Sequence, residues 1–379
     1  MTHDPPTALY VHVPFCVGKC SYCDFYSVVI SPDAVSAYLA ALRRELQLSG
    51  GERPEPFDTV YIGGGTPSSL TADQLEELLL ILRGQTTFAS SVEFTVEANP
   101  GTLSDGKLRV LTTHGVNRLS LGAQSFDDRL LGLLGRRHTR GDVTDALAAA
   151  RDVGLVNLSL DLIFGIPTQT PADWTRDLDE LLTCDVPHVS AYSLTYEEET
   201  PLARDVASGR VTPVGEEDEL VMYEGVIRTL TSHGYEHYEV SNFARPHFQC
   251  THNEVYWANA PYVGLGPSAV SYVAGERRRN VASVAEYVTS LDSGRLPVTF
   301  RERLSPEKRA RETAVMNLRR TRGIDFDTFL RDTGFDLDVL LGGELQVLAE
   351  EGLMEVDEHS AKLTHRGRVV ADSVLSELV

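Results

Sequence analysis

Short apolar runs alternate with longer amphipathic stretches over the first 235 residues of the chain. Six runs have the length and apolar content of buried strands, namely ALYVHV (8–13), TVYIGG (59–64), VEFTVEA (92–98), RLSLGA (118–123), LSLDLIFG (158–165) and HVSAYSLT (188–195). Stretches with apolar residues at helical spacing lie between them, and they are AYLAALRREL (37–46), DQLEELLLILR (73–83), VTDALAAARDVG (143–154) and WTRDLDELL (174–182). Strand and helix in alternation predict parallel strands joined by right-handed crossovers.

The six strand and helix units predict an α/β fold with a partial (β/α)6 barrel, which they fit better than a closed eightfold one. The alternation ends near residue 235, so the barrel is expected to span 1–235. Residues 236–300 form an aromatic, histidine-rich connecting segment. From 301 to 379, a mostly helical pattern followed by two short strands and a final helix predicts a small winged-helix-like domain.

Polar residues and glycines fall at or near the carboxyl ends of the predicted strands. They are Gly64, Gly65 and Thr66 after the second strand, Glu97 at the end of the third, Gln124 after the fourth, Asp161 within the fifth and Thr195 at the end of the sixth. Active sites of β/α barrels are built on that face of the sheet. This placement therefore predicts a functional site there.

The composition narrows the classes of partner. Lysine and arginine total 34 against 55 acidic residues, which gives a net charge of −21. A field of that sign repels phosphate backbones and anionic lipid headgroups. We therefore expect no nucleic-acid partner, even for the winged-helix-like domain. The segment MTHDPPTALYVHV lacks the pattern of a signal peptide, and no apolar run approaches the length of a membrane span, so a cytoplasmic protein without an integral membrane segment is predicted.

Three of the five cysteines, Cys16, Cys20 and Cys23, lie within eight residues in the run VPFCVGKCSYCDFYS. Three thiolates would leave one iron of a four-iron cubane open to another ligand. The spacing is also that of a helix core stripe, but the proline, glycine and polar residues in the run argue against a buried helix. Zinc would need a fourth protein ligand, and an odd cysteine count disfavours disulfides. The run therefore favours an iron–sulfur cluster.

The cysteine run and its flanks resemble the radical S-adenosylmethionine (SAM) superfamily, in the branch of the oxygen-independent coproporphyrinogen III dehydrogenases and the HemW-type haem chaperones. The matching segments, in order from residue 9 to residue 257, are LYVHVPFCVGKCSYCDF, YIGGGTPSSL, VEANPGTL, RLSLGAQSF, DLIFGIPTQT and HNEVYW. The resemblance implies the radical SAM barrel fold. It also implies a [4Fe-4S] cluster on Cys16, Cys20 and Cys23, with SAM on the open iron.

The same resemblance implies a set of residues for the SAM site. One or two SAM pockets would be lined by Tyr10, Gly64, Gly65, Thr66, Glu97, Gln124, Arg136, Asp161 and Thr195, with Tyr22 packed beside the cluster. Glu97 and Asp161 also stand out by themselves, since a carboxylate buried on an apolar strand without a partner is costly. Ribose hydroxyls or a ligand ammonium would relieve that cost. The alternative is a salt bridge to Arg136 or Arg137.

Two departures from the dehydrogenase pattern favour the chaperone branch. The dehydrogenases carry a fourth cysteine two residues beyond the triplet, and here that position is Phe25. They also have a long amino-terminal segment, whereas fifteen residues precede Cys16 in this sequence. Both departures count against oxidative decarboxylation of coproporphyrinogen as the activity, and whether the protein is an enzyme at all stays open.

The HNEVYW segment is shared with the chaperones and not with the dehydrogenases. His252 could supply an axial imidazole to haem iron, and Tyr256 and Trp257 could offer ring faces to the porphyrin. The alternative is a buried histidine held by hydrogen bonds. Weaker candidates for haem iron are Cys250, which could act as a thiolate ligand, and the histidines His237 and His247. Cys184 is expected to be a small core residue.

The expected function is that of a haem chaperone that carries a [4Fe-4S] cluster and SAM. The resemblance implies that it binds haem and delivers it to haem-requiring proteins, those of the respiratory chain in particular. Whether the protein forms a homodimer stays open. The alternative function is that of an oxygen-independent coproporphyrinogen III dehydrogenase, which would carry out radical oxidative decarboxylation.

Overall fold

The structure is a computed structural model that describes residues 5–50 and 56–378. The outer bounds of the predicted domains, residues 1 and 379, lie outside the described residues. No helix in this part of the chain combines the length and the apolar character needed to span a bilayer. Strands and helices are numbered in chain order below.

Strands occur along most of the described chain. They are β1 (Ala8–Val13), β2 (Phe15–Cys16), β3 (Val28–Val29), β4 (Phe57–Gly64), β5 (Phe88–Ala98), β6 (Arg118–Gln124), β7 (Asn157–Phe164), β8 (His188–Ser193), β9 (Glu236–Glu239), β10 (Asn242–Ala244), β11 (Tyr262–Leu265), β12 (Val270–Val273), β13 (Glu276–Asn280), β14 (Val298–Glu302), β15 (Ile324–Asp325), β16 (Met354–Val356) and β17 (Ser360–Leu363). All six strands predicted from the sequence are present, with bounds that differ by a few residues.

Helices connect the strands and make up most of the carboxyl-terminal part. They are α1 (Pro32–Leu48), α2 (Ala72–Gln85), α3 (Asp105–Thr113), α4 (Asp128–Leu133), α5 (Arg140–Asp152), α6 (Pro171–Thr183), α7 (Pro201–Ala207), α8 (Glu216–Ser232), α9 (Thr251–Trp257), α10 (Val284–Asp292), α11 (Pro306–Leu318), α12 (Phe326–Thr333), α13 (Leu337–Glu350), α14 (His365–Val369) and α15 (Ala371–Ser376). Local signals fix several starts: Thr71, Thr139 and Thr170 each form a capping box at the start of α2, α5 and α6.

One sheet of twelve strands has the order β14-β13-β12-β11-β1-β4-β5-β6-β7-β8-β10-β9. The six predicted strands β1 and β4 to β8 are neighbours in it and pair in parallel. Strand β11 adds a seventh parallel strand beside β1, which the sequence did not predict. The sheet ends at β14 on one side and β9 on the other, so within the described residues it stays open. This architecture confirms the predicted partial barrel.

Two apolar cores lie behind this architecture, and a third, small apolar cluster contains Leu130, Leu134, Ile163, Ile166, Leu194 and Leu202. The larger packs the sheet against its helices, and its buried members run from Leu9 to Leu291. The smaller contains buried residues from Ala310 to Leu378, and it packs α11 to α13 and α15 around the three-stranded sheet β15-β17-β16. Residues 236–300 add strands to both ends of the large sheet. The predicted domain boundaries at 235 and 300 stay predictions.

Candidate functional site

A cavity of about 610 Å³ opens at the carboxyl ends of the parallel strands. Its volume lies within the range of small-molecule and cofactor sites. Most of the predicted site residues line it, and they are Cys16, Cys20, Tyr22, Cys23, Gly64, Gly65, Thr66, Glu97, Gln124, Arg136, Asp161 and Thr195. Two predicted residues, Tyr10 and His252, are not among its lining residues. The tertiary structure thus brings residues from the ends of five strands, β4 to β8, and from the cysteine loop into one site.

The cysteine loop runs from β2 to β3, which pair in parallel. Its middle is tied to the rest of the site at Ser21, whose N–H donates to the Leu134 carbonyl at 3.1 Å and whose carbonyl accepts from the Leu202 N–H at 2.9 Å. Gly135 approaches this point with a φ of 73°, and a Cβ there would lie 3.3 Å from the Ser21 nitrogen. The loop is therefore held in place by backbone contacts on both sides.

All three thiols of the loop are free and partly exposed. An Arg136 Nη donates to Cys20 Sγ at 3.6 Å, and Cys16 Sγ lies 3.4 Å from the Thr66 hydroxyl. Burial raises the pKa of the Cys23 thiol to about 11. Metal binding must therefore displace a proton from Cys23, because thiolates and not thiols are metal ligands.

The cysteines are not arranged around a single metal ion. Within residues 5–50 and 56–378, no three His, Cys, Asp or Glu side chains are placed to hold one ion together. A four-iron cluster takes its thiolates on different irons, so its ligands are spread more widely.

The glycine turn after β4 is packed against protein backbone. Gly65 N–H donates to the Val13 carbonyl at 2.9 Å, and a Cβ at Gly65 would lie 2.7 Å from the Phe15 oxygen. Gly64 has a φ of 108°, and a Cβ there would lie 2.6 Å from a His12 ring nitrogen. Glycine is required here because the turn passes close to β1 and β2. The same turn also lines the cavity.

Glu97 is held by neutral donors. The Tyr61 hydroxyl donates to one carboxylate oxygen at 2.8 Å, and the Gly64 N–H donates to the other at 3.2 Å. Asp161 accepts hydrogen bonds from the Ser120 hydroxyl at 3.1 Å to each oxygen. Burial raises the pKa of both carboxyls, that of Glu97 to about 7.

The alternative of a salt bridge from these carboxylates to Arg136 or Arg137 is wrong. Arg136 instead donates to the Gly122 carbonyl at 2.7 Å and to Cys20. Glu97 and Asp161 therefore lie in the cavity wall with polar partners and without an ion pair in the described part of the chain. Two carboxyls in that state can accept hydrogen bonds from the hydroxyl or ammonium groups of a ligand.

The raised pKa of Glu97 predicts a pH dependence of stability. A carboxyl that titrates near 7 when folded and near 4.5 when unfolded holds its proton in the folded state across that window. The stability that the protonated Glu97 carboxyl contributes is fully present below about pH 4.5. It is lost as the pH rises through 7, and the loss is of the order of 3 kcal/mol. The free energy of unfolding can be measured by urea unfolding of cluster-loaded protein at pH 5 and at pH 8. Between these two pH values, Glu97→Gln should lose less of it than the unchanged protein. Equal losses in the two proteins would contradict the assigned pKa shift.

Several cavity residues were not predicted from the sequence. Arg118 and Ser120 lie on β6 two residues apart, Tyr61 lies on β4, and His138 and Asn253 come from connections outside the strands. Arg118 and Ser120 share the inward face with Gly122 and Gln124, so the alternation along RLSLGAQ could have indicated them. The His138 Nε2–H donates to the Ala123 carbonyl at 2.9 Å, and burial lowers the pKa of His138 to about 4.

The HNEVYW segment forms most of helix α9, which begins after its N-cap residue Cys250. Glu93 of β5 accepts hydrogen bonds from the N–H groups of Thr251 and His252, both at 3.0 Å. A carboxylate at the first turn of a helix satisfies free N–H groups and complements the helix dipole. The first turn of α9 is thereby fixed against strand β5.

His252 lies inside this contact and is 1 % exposed. Its Nδ1 lies 2.8 Å from the Thr59 hydroxyl and its Nε2 lies 3.0 Å from the Tyr256 hydroxyl. Its ring stacks on Tyr61 with a centroid distance of 5.1 Å, and burial lowers its pKa to about 3. The arrangement is that of a buried histidine held by hydrogen bonds. To ligate haem iron, His252 would have to release one of these partners, and its role as a haem ligand stays a prediction.

The remaining candidates are placed as follows. Cys250 is fully buried, its thiol donates to Glu93 at 3.6 Å, and burial raises its pKa to about 12. His237 stacks on Phe243 in the fold interior, and His247 is exposed. Tyr10 stacks on Tyr61, at 6.3 Å between centroids, one layer behind the cavity wall. Cys184 is buried in the large core. The Trp257 ring, the other aromatic ring proposed for the porphyrin, is covered by the Arg319 guanidinium.

The fold and the cysteine site together define a radical SAM protein. Residues 10–181 match the family described as the Radical SAM superfamily, and residues 304–370 match the HemN C-terminal domain. The solved structure of the coproporphyrinogen III oxidase HemN from Escherichia coli has the same fold and superposes with a TM-score of 0.87. The two sequences are 23% identical, and the match covers 99% of this chain and 90% of that one. Superfamily membership implies a [4Fe-4S] cluster and SAM.

Curated relatives match the chain over nearly its full length. "Heme chaperone HemW" of Bacillus subtilis is 38% identical and covers 96% of this chain and 97% of its own length. The protein of the same name from Lactococcus lactis is 35% identical, covering 99% and 97%. The mitochondrial radical S-adenosyl methionine domain-containing protein 1 of Bos taurus is 35% identical, covering 98% and 87%. Within the radical SAM superfamily, the chain belongs to the HemW haem-chaperone family.

Proposed function

We propose that this protein binds haem and passes it to haem-requiring proteins, and that it does so with a [4Fe-4S] cluster and SAM bound in the cavity. The observation that carries the proposal is the match to relatives named haem chaperones over 96% of this chain and 97% of theirs. The proposed location is the cytoplasm. The proposed recipients are haem-requiring respiratory proteins, as the resemblance of the sequence implies.

The residues present fit the cluster and SAM. Three free thiols face the cavity, and the Arg136 guanidinium lies beside one of them with a buried Nε that lacks a hydrogen-bond partner among the described residues. Cys16, Cys20 and Cys23 would hold the cluster, and Glu97, Asp161 and Arg136 would contact SAM. When bound, the cluster and SAM would supply one-electron chemistry. Tyr61 and Gly64 orient Glu97, and the serines around Asp161 orient that carboxyl, so both are fixed before a ligand arrives.

The dehydrogenase alternative shares the fold. However, the likeness to the coproporphyrinogen III oxidase is at 23% identity and concerns the fold alone. At the position where the dehydrogenase pattern has a fourth cysteine, this chain has Phe25, whose side chain is 62% exposed at the cavity rim. A phenyl group cannot supply a thiolate or transfer a proton, which supports the chaperone function.

The two functions differ in one assay. Cluster-loaded protein incubated without oxygen with SAM, reductant and coproporphyrinogen III should form no protoporphyrinogen at enzyme-like turnover, because the site lacks the dehydrogenase cysteine. Chromatography of the extracted porphyrins measures this, with the Escherichia coli coproporphyrinogen III oxidase as positive control. Product at a turnover comparable with that control would favour the alternative. A haem titration of the same preparation tests the chaperone function, which predicts saturable binding with a defined Soret band.

A further inference from the structure

Arg118 is a buried cation that the proposed cluster and SAM site does not use. It is the first residue of β6, it is 2% exposed, and it lines the cavity. Its Nε has no hydrogen-bond partner, and across residues 5–50 and 56–378 no carboxylate lies within ion-pair distance of its guanidinium. An arginine stays protonated in proteins, and a buried charge without a partner is costly. A site that retains such a group is suited to an anionic ligand.

Three acidic residues, Glu93, Glu97 and Asp161, lie near Arg118 without forming an ion pair with it in the described part of the chain. Glu93 uses both carboxylate oxygens at the start of α9. Burial raises the pKa of Glu97 and that of Asp161, and both carboxyls are hydrogen-bonded to neutral groups. Thr95, the register neighbour of Arg118 on β5, has a buried hydroxyl without a partner among the described residues. The floor of the cavity therefore offers the Arg118 guanidinium to an acceptor group, and the Thr95 hydroxyl is buried on the neighbouring strand.

The position of Arg118 along β6 bears on the kind of ligand. Arg136 bridges Cys20 Sγ and the Gly122 carbonyl, so Gly122 marks the cysteine end of the cavity. Arg118 is four residues earlier on the strand, about 13 Å away along it. Arg118 is therefore suited to a carboxylate of a ligand that reaches the floor of the cavity.

The floor also adjoins the HNEVYW helix. Asn253 of that helix lines the cavity, and the charge of Arg118 contributes to lowering the pKa of His252. Haem carries two propionates, while the net charge of −21 repels them. A buried arginine and an amide that line the same cavity supply the local donors that such a ligand needs.

We propose that Arg118 binds a carboxylate of the ligand that occupies the floor of the cavity. The assignment of that carboxylate to a haem propionate rests on the proposed function. The other source of the same chemistry is the methionine carboxylate of SAM. The two sources are distinguished by ligands in which the carboxylate is blocked or absent.

The test compares Arg118→Met, which removes the charge at similar volume, with Arg118→Lys, which keeps it. Cluster-loaded proteins are titrated without oxygen with haem, haem dimethyl ester, SAM and decarboxylated SAM. Arg118→Met should weaken haem binding at least about tenfold, or about 1.4 kcal/mol, and leave binding of the diester unchanged. Arg118→Lys should lose less haem affinity than Arg118→Met. The iron content and thermal unfolding of each variant show that it is folded, and Arg118→Lys carries the test if Arg118→Met fails to fold.

The outcomes are separable. If Arg118→Met instead loses affinity for SAM and keeps its affinity for haem and for decarboxylated SAM, that result would support the carboxylate site and assign it to SAM. Equal affinities of all variants for haem and SAM, or equal losses for haem and its diester, would overturn the proposal. If the unchanged protein binds no haem, the proposed function fails, while the two SAM ligands still decide whether Arg118 binds a carboxylate.

Discussion

The Cys20→Ser protein, reconstituted without oxygen, should contain no four-iron cluster, whereas the unchanged protein should hold about four irons. Cys20 is the middle of three thiols on one loop, and its sulfur accepts a hydrogen bond from the Arg136 guanidinium. The thiolate is the form of cysteine that binds iron. A serine hydroxyl stays protonated at neutral pH and is a poor ligand for iron. Iron and sulfide analysis gives the cluster content directly.

The matched control is Cys184→Ser, because Cys184 is buried in the large core and is not among the residues that line the cavity. That variant should keep its iron. In the unchanged protein the spectrum of the reduced cluster should change when SAM is added, since one iron lacks a protein thiolate. The cluster assignment would be wrong if a variant with all three of Cys16, Cys20 and Cys23 changed to serine retained its iron.

His252→Ala should lower haem affinity at least about tenfold, which corresponds to about 1.4 kcal/mol, while the iron–sulfur content stays unchanged. An axial imidazole is a common protein ligand to haem iron. The structure adds a condition, since Nδ1 and Nε2 of His252 are engaged by Thr59 and Tyr256. Binding must release one of them, and Tyr256 belongs to the same helix. Haem titration followed by the Soret band measures the change.

The control separates ligation from packing. Removing the imidazole also leaves the Thr59 and Tyr256 hydroxyls without their partner, at a cost of about 1–3 kcal/mol for each buried group. Tyr256→Phe removes one of these hydrogen bonds and keeps the imidazole, so it should retain haem affinity. Unchanged haem affinity and Soret position in His252→Ala would show that another residue ligates the iron. The next candidate is Cys250, whose thiol lies beside Glu93.

Local sequence was sufficient for much of the fold. The strand β1 was predicted at its observed bounds, and β4 to β8 were predicted within a few residues, because each is an apolar run flanked by turn signals. Strand β11 was missed. It is four residues long and its apolar pattern is short, and it is a strand because it pairs with β1, more than 250 residues earlier in the chain. Helix α8 was also missed, since its first turn consists of four acidic residues and its apolar stripe is weak.

By itself, the sequence determined the cysteine loop, the glycine turn and the carboxylates at the strand ends. These features are local, because spacing along the chain sets which strand end carries each group. The tertiary structure alone decided what surrounds them. It placed His252 between Thr59 and Tyr256 and gave Glu97 a tyrosine partner in place of an arginine. It also left the buried Arg118 Nε without a hydrogen-bond partner among the described residues. Those contacts depend on the register of strands and helices distant in sequence, and burial there determines pKa values and partners that no local pattern specifies.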